Sequence, residues 1–300
     1  MSLSTSSHKN PFLITPLSMA LLALLTVMYA PLLWHWVDGW LSKSISIQHE
    51  YFSHGLIGLP FAAYIAWGMR PRWRALPDQL NPAGLGLVSL AGALYLSQLS
   101  DWMNISLPLM LAGICLTLKG WSGLKLMGFP LALVVLATPS QLPYLIEPHI
   151  LPLQHFIAIV AGFILKQGGI DVVVDQIYLR VNDQVVEVAP HCAGLKMLFT
   201  SLYVSLMLIY WNEVWRSRLH TTIFLTATVA ISVVGNIIRN ALLSYFHGVQ
   251  NEAAFHWLHD SWGGDMYSAF MLLSLILILG LIQKYVPQSL SFRVNPEISV

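Results

Sequence analysis

The chain has 300 residues, 56% of them hydrophobic and only 10% charged, roughly the reverse of what a soluble surface requires. With 11 Trp and 11 Tyr to populate membrane interfaces, the composition predicts a polytopic membrane protein. A net charge of +1 gives no basic surface for nucleic acid, so no nucleic-acid partner is expected.

A hydrocarbon core about 30 Å thick needs roughly 20 apolar residues in a helix. Segments of this kind are 14–36, 54–70, 82–99, 102–118, 122–140, 193–211, 219–240 and 266–285. The first grows out of an apolar run from Phe12 to Val37, too long for a signal-peptide core and without an Ala-x-Ala exit, and is expected to be a span. A further stretch, 150–166, is weaker: it follows Pro148, contains Pro152, and carries His155 and Lys166.

Charge decides whether that stretch crosses. With a cytoplasmic N-terminus and no crossing, Lys9, Arg70, Arg72, Arg74, Lys119, Lys125, Arg216, Arg218, Lys284 and Arg293 lie inside. Only Lys43, Lys166, Arg180, Lys196 and Arg239 lie outside, a clear positive-inside bias. A crossing would invert the last three spans and split that bias. The expectation is therefore an all-α, single integral membrane domain over 1–300 with about eight transmembrane helices, both termini cytoplasmic, and 150–166 as an interfacial or re-entrant helix. Nine of the 11 histidines then face outward, together with Cys192 and Arg239.

The polar segment 170–190 reads as a short extracytoplasmic β-hairpin. Tyr178–Val181 faces Gln184–Glu187 across Asn182-Asp183, two residues that tolerate positive φ. The hairpin runs into Val-Ala-Pro-His-Cys-Ala-Gly-Leu, where Cys192 meets the start of an apolar helix. Amides at a helix N-terminus favour a thiolate, so this position suits a nucleophile, although a small residue packed at a helix start has the same appearance. Cys115 lies within an apolar segment and is expected to pack there, which leaves Cys192 a free thiol.

Arg239 closes the seventh span with Asn236 and Asn240 at helical spacings of three and one. An arginine at membrane depth faces a partner or a polar cavity, or else snorkels to the headgroups; the asparagines point to a positioned guanidinium whose fork they can hydrogen-bond. The segment His256-Trp257-Leu258-His259-Asp260-Ser261-Trp262-Gly263-Gly264-Asp265 leads into the last span. A histidine there suits general acid–base work, and His259 is favoured over His256 because Gly263 and Gly264 let the backbone fold closely around it. His191 adjoins Cys192, but neighbouring residues on a helix point apart, which makes it a poor base. Metal chemistry is not indicated. His49 and His54 are five residues apart, one too many for a shared helical face, and His256, His259 and Asp260 with His247 lack a completing ligand.

Together these residues resemble the exosortase/archaeosortase family of membrane-embedded transpeptidases and lean toward its cyanobacterial branch. Cys192-Ala193-Gly194-Leu195 is similar to that family's cysteine box, Asn236-x-x-Arg239 to its arginine box, and His259 with Gly263 and Phe270 to its histidine box. Tyr51-Phe52-Ser53-His54-Gly55, the Pro139–Pro143 turn, the stretch from Leu153-Gln154 to Gly169-Ile170 and Val186-Glu187-Val188 fit as well, so the resemblance covers about 40–285. Departures are His191 before the cysteine, Ala193 where serine is commoner, and Gly264-Asp265 after the glycine.

The resemblance implies a bacterial inner-membrane cysteine transpeptidase or protease with its site on the extracytoplasmic face and no cofactor. Its substrates would be exported proteins ending in a Pro-Glu-Pro-like motif, a transmembrane helix that docks laterally, and a basic tail. Cys192 would be the nucleophile, Arg239 the oxyanion or substrate-orienting charge and His259 the general acid/base, with Asn236, Asn240, Gly194 and Gly263 in support. An amine acceptor in the envelope, near exopolysaccharide machinery, would complete the transfer. The alternatives are a multispan transporter lined by Arg239 and Asn236, or a non-catalytic scaffold for polysaccharide assembly. A transporter usually shows paired halves, and no internal symmetry is visible here.

Overall fold

A computed structural model describes residues 16–41, 51–189, 194–259 and 261–287. Helices dominate: α1 Pro16–Leu41, α2 Gly55–Gly68, α3 Arg70–Ala75, α4 Pro82–Leu96, α5 Ser100–Leu126, α6 Gly128–Ala137, α7 Leu142–Ile146 and α8 Leu151–Gln167 come first. Strands β1 Val172–Asp175, β2 Tyr178–Val181 and β3 Gln184–Glu187 follow, then α9 Leu195–Trp211, α10 Arg218–Gly248, α11 Glu252–His259 and α12 Trp262–Tyr285.

Among the described residues, α5, α10 and α12 are long and apolar enough to cross a membrane. The pair Gly128–Ala137 and Leu142–His149, bent by 74°, supplies a fourth candidate as a broken or re-entrant span. Three of the expected spans appear as the shorter apolar helices α2, α4 and α9, and the stretch 150–166 as α8. The exterior carries large apolar side chains such as Trp34, Leu96, Phe163, Phe270 and Leu277, a surface suited to lipid rather than water. The chain is an all-α multi-pass membrane protein with one small sheet.

Packing follows from small residues and paired polar groups. Asn81 caps α4 by accepting from the Ala83 amide at 3.0 Å, with Pro82 in the first turn. α4 then lies tightly on α5, where Gly84 meets the Thr117 backbone and Gly113 meets Val88 with no room for a Cβ. α5 leaves helical geometry at Gly120, between the segments read as the fourth and fifth spans. α1 is anchored by Trp36, whose buried Nε1 donates to Asn104 Oδ1 at 2.7 Å, and by Tyr29, which donates to Ser106 Oγ at 3.2 Å. Tyr203 of α9 donates to the Leu133 carbonyl of α6 at 3.0 Å and fills the space beside Gly58 of α2, tying three helices at one point.

The hairpin forms with the expected register, Tyr178–Val181 against Gln184–Glu187, and Asn182 and Asp183 both take positive φ, as a two-residue turn of matching twist demands. The structure adds a third strand: Gln176, also at positive φ, turns β1 back against β2, giving the antiparallel order β1-β2-β3. The inner face of this sheet buries Leu179 and Val181 against α8 and α10. Both halves of α8 are tied to this region. Gln154 donates to the Val188 carbonyl at 2.8 Å, and Gly162 lies against Val174 and Leu179.

Candidate active site

One face of α10 organises the site. Asn236, Arg239, Asn240, Leu243 and His247 recur at spacings of three and four and so share a stripe near the end of the helix. α9 approaches this stripe through its first turn. Gly194, the residue before α9, holds φ at +84°, a conformation L side chains avoid, and a Cβ there would fall 2.7 Å from Asn236 Cγ. A glycine is therefore required twice over at 194, for its φ and for its closeness to α10. Pro190, His191, Cys192 and Ala193 lie outside the described residues, so the expected nucleophile is located only by sequence, two residues before Gly194.

Asn236 is 1% exposed, and both its Oδ1 and Nδ2 lack a hydrogen-bond partner. A buried amide in that state costs about 1–3 kcal/mol. The expectation that Asn236 and Asn240 grip the Arg239 guanidinium differs from the geometry: Asn240 Nδ2 donates to the Asn236 backbone carbonyl at 2.9 Å, and Arg239 Nε is buried without a partner. Local competition explains the difference, since a side-chain amide one turn along a helix readily reaches back to the main chain.

Arg239 extends toward α12. Its Nη2 comes within 3.9 Å of where a Cβ at Gly264 would stand, and its charge acts on the phenol of Tyr267. Tyr267 in turn donates to the Gly235 carbonyl at 2.6 Å, locking α12 to α10 one turn before Arg239. The close folding expected of Gly263 and Gly264 is present. Gly263 sits against the Trp257 ring and carbonyl, and Gly264 against the Leu258 carbonyl.

His259 ends α11 and stacks on Phe255 with ring centroids 5.3 Å apart and planes at 9°. It lines a cleft of about 230 Å³ with Asn240, Leu243, His247 and Phe255 on the helical side and Val185, Val186, Glu187 and Ala189 on the strand side. His256 points elsewhere: its Nε2 lies 3.8 Å from Glu252, and it does not line the cleft. Asp260 lies outside the described residues. Among the described residues no group of three or more metal-ligating side chains converges.

The fold thus brings Gly194 to Asn236, sets Arg239 against the start of α12, and puts Asn240 and His259 in one cleft. Sequence reasoning passed over Tyr267, took Glu187 only as part of the hairpin and of the family resemblance, and considered His247 only as a metal ligand. His247 was recoverable, since it stands seven residues beyond Asn240 on the same helical face; Glu187 needed the tertiary placement of β3.

Neither a curated protein nor a solved structure matches the chain. A family model does: the one described as transmembrane exosortase (EpsH) matches residues 40–276, which include α2 through most of α12 and every residue of the candidate site. The chain belongs to the transmembrane exosortase family.

Proposed function

We propose that the chain is a cysteine transpeptidase or protease that cleaves the C-terminal sorting signals of exported proteins at the extracytoplasmic face of a bacterial inner membrane. The observation that carries this reading is the convergence of Gly194, Asn236 and Arg239 with the His259 cleft, drawn from three chain segments. Cys192 stands two residues before Gly194, which packs on Asn236.

The Cys192 thiolate attacks the scissile carbonyl, forming a C–S bond and a tetrahedral oxyanion. Arg239, half-buried and with its Nε free of any hydrogen bond, supplies a fixed positive charge for that oxyanion or orients the substrate. Collapse breaks the C–N bond, and His259 donates the proton the leaving amine requires. The resulting thioester is attacked by an acceptor amine or by water; His259 takes the proton of the incoming group, and the thiolate leaves. Thioester exchange of this kind consumes no cofactor.

Eight spans, with α8 held in the outer interface, accord with the positive-inside count and with the attachment of both halves of α8 to the sheet. The substrate's own transmembrane helix would dock laterally among the spans, supplying remote binding energy that positions the bond.

The test uses a reporter ending in a Pro-Glu-Pro motif, an apolar helix and a basic tail, processed in membranes containing the chain. Wild type is expected to shorten the reporter and to yield a thioester adduct on Cys192 by mass spectrometry. Processing by Cys192→Ala at the wild-type rate would overturn the assignment. Solute flux in reconstituted vesicles that thiol alkylation leaves unchanged would favour a transporter instead.

A further inference from the structure

The free edge of the sheet faces the cleft. Across the two-residue turn, Val181 and Gln184 form a hydrogen-bonded pair, and antiparallel ladders alternate, so Leu179 and Val186 form the next one. The Val188 amide continues that phase by donating to the Ile177 carbonyl at 2.8 Å. Val185 and Glu187 therefore turn their N–H and C=O groups away from β2, and among the described residues no hydrogen bond satisfies them. An unpaired edge of this sort is a ready template for another strand unless something covers it. Here the space beside it is the open cleft, bounded opposite by Leu243, Phe255 and His259.

We propose that β3 is the docking edge for the substrate: the stretch of exported polypeptide that ends at the scissile bond lies in this cleft as an added strand, hydrogen-bonded to the main chain of Val185 and Glu187. The inference rests on the cysteine-peptidase reading above and specifies how that site holds its peptide. Three features carry it. The cleft contains His259, so a chain lying there runs past the proposed acid/base. The strand's own continuation, through Ala189 at the cleft wall, leads within three residues to Cys192, so pairing along β3 delivers the peptide toward the thiol. β1, at the opposite edge, follows α8 and leads nowhere near that cysteine in sequence.

Direction follows from the ends of β3. Its turn is tied to the end of α10, where Asn182 Nδ2 donates to the Gly248 carbonyl at 3.3 Å, whereas the start of α9 rests on Asn236, twelve residues earlier in that helix. A substrate whose body lies beyond Gly248 and whose apolar segment enters the helices runs parallel to β3. Parallel pairing presents both the N–H and the C=O of every second substrate residue to β3 and leaves the residues between them facing away.

That period of two is the test. A synthetic peptide carrying the Pro-Glu-Pro motif and the following apolar segment is N-methylated at one non-proline amide at a time on the N-terminal side of the cut, and each version is given to wild-type chain in proteoliposomes. Methylation is expected to raise KM about tenfold at alternate positions, the loss of roughly one hydrogen bond, and to leave the intervening positions unchanged. On the protein side, Val185→Pro and Glu187→Pro remove only edge-facing amides, which an edge strand tolerates. Each is expected to raise KM with kcat within about twofold and an unchanged melting temperature. A flat N-methyl profile on an enzyme that cleaves, and whose Cys192→Ala variant does not, overturns the added strand and leaves the peptidase reading standing. Cleavage by Cys192→Ala, or none by wild type, overturns both.

Discussion

The two halves of α10 treat polar side chains differently. In the first half, His220 Nε2 meets the Val286 carbonyl at 3.0 Å, Thr221 donates to the Val214 carbonyl, Thr228 pairs with Ser205 at 2.8 Å, and Ser232 donates to the Thr228 carbonyl. In the second half, both amide atoms of Asn236, Arg239 Nε and Ser244 Oγ are buried with no hydrogen bond. The first half thus satisfies these polar groups, whereas the second, although Asn240 donates to the Asn236 carbonyl, leaves several buried atoms unpartnered. Buried groups without partners are uncommon and each costs stability, so their concentration in the half that carries Asn236 and Arg239 supports the proposed site.

The contrast can be broken in order of expected effect. Arg239→Ala should leave the helices assembled yet lower kcat/KM for the reporter by about a thousandfold, the scale of a lost preorganised charge. A fall of less than about tenfold would remove Arg239 from the chemistry. Gly194→Val meets both a φ of +84° and a neighbour at 2.7 Å. It is expected to lose about 2–3 kcal/mol of stability, read as a drop in melting temperature, together with most activity. Asn236→Leu should move stability and activity in opposite directions. Removing an unpartnered buried amide should raise stability by about 1–3 kcal/mol while turnover falls; a destabilised variant would show that the amide has a partner after all. Ser205→Ala, on α9 against the satisfied half of α10, should cost about 1 kcal/mol and leave kcat and KM alone.

Much of this was legible before any coordinates. The Asn182-Asp183 turn and its register were readable because a two-residue hairpin admits few residue types and fixes which positions face each other. The break at Gly120 and the helix start after Cys192-Ala193-Gly194 were visible as interruptions of apolar runs. β1 was not readable as a separate strand because its return turn uses Gln176-Ile177, which carries no Gly, Asn or Asp to signal a positive φ. The turn at Pro139–Pro143 was legible from its prolines, but not its angle: the structure bends the chain by 74° there, between α6 and the helical segment that follows. The orientation of the two asparagines lay beyond sequence altogether. Spacing puts them beside Arg239, but the Asn236 backbone carbonyl, which accepts from Asn240 Nδ2, turns that amide along its own helix.

The tie between Asn182 and Gly248 has a metric consequence. From Asn236 to Gly248 the helix climbs twelve residues, about 18 Å, and the hairpin is pinned at the top of that climb. A strand covers such a height in about five residues. Under the proposed substrate docking the end of α10 acts as a ruler: a folded domain on the substrate would have to stop about five residues short of the cut, because a shorter tether would hold the domain against the rim before its scissile bond arrives.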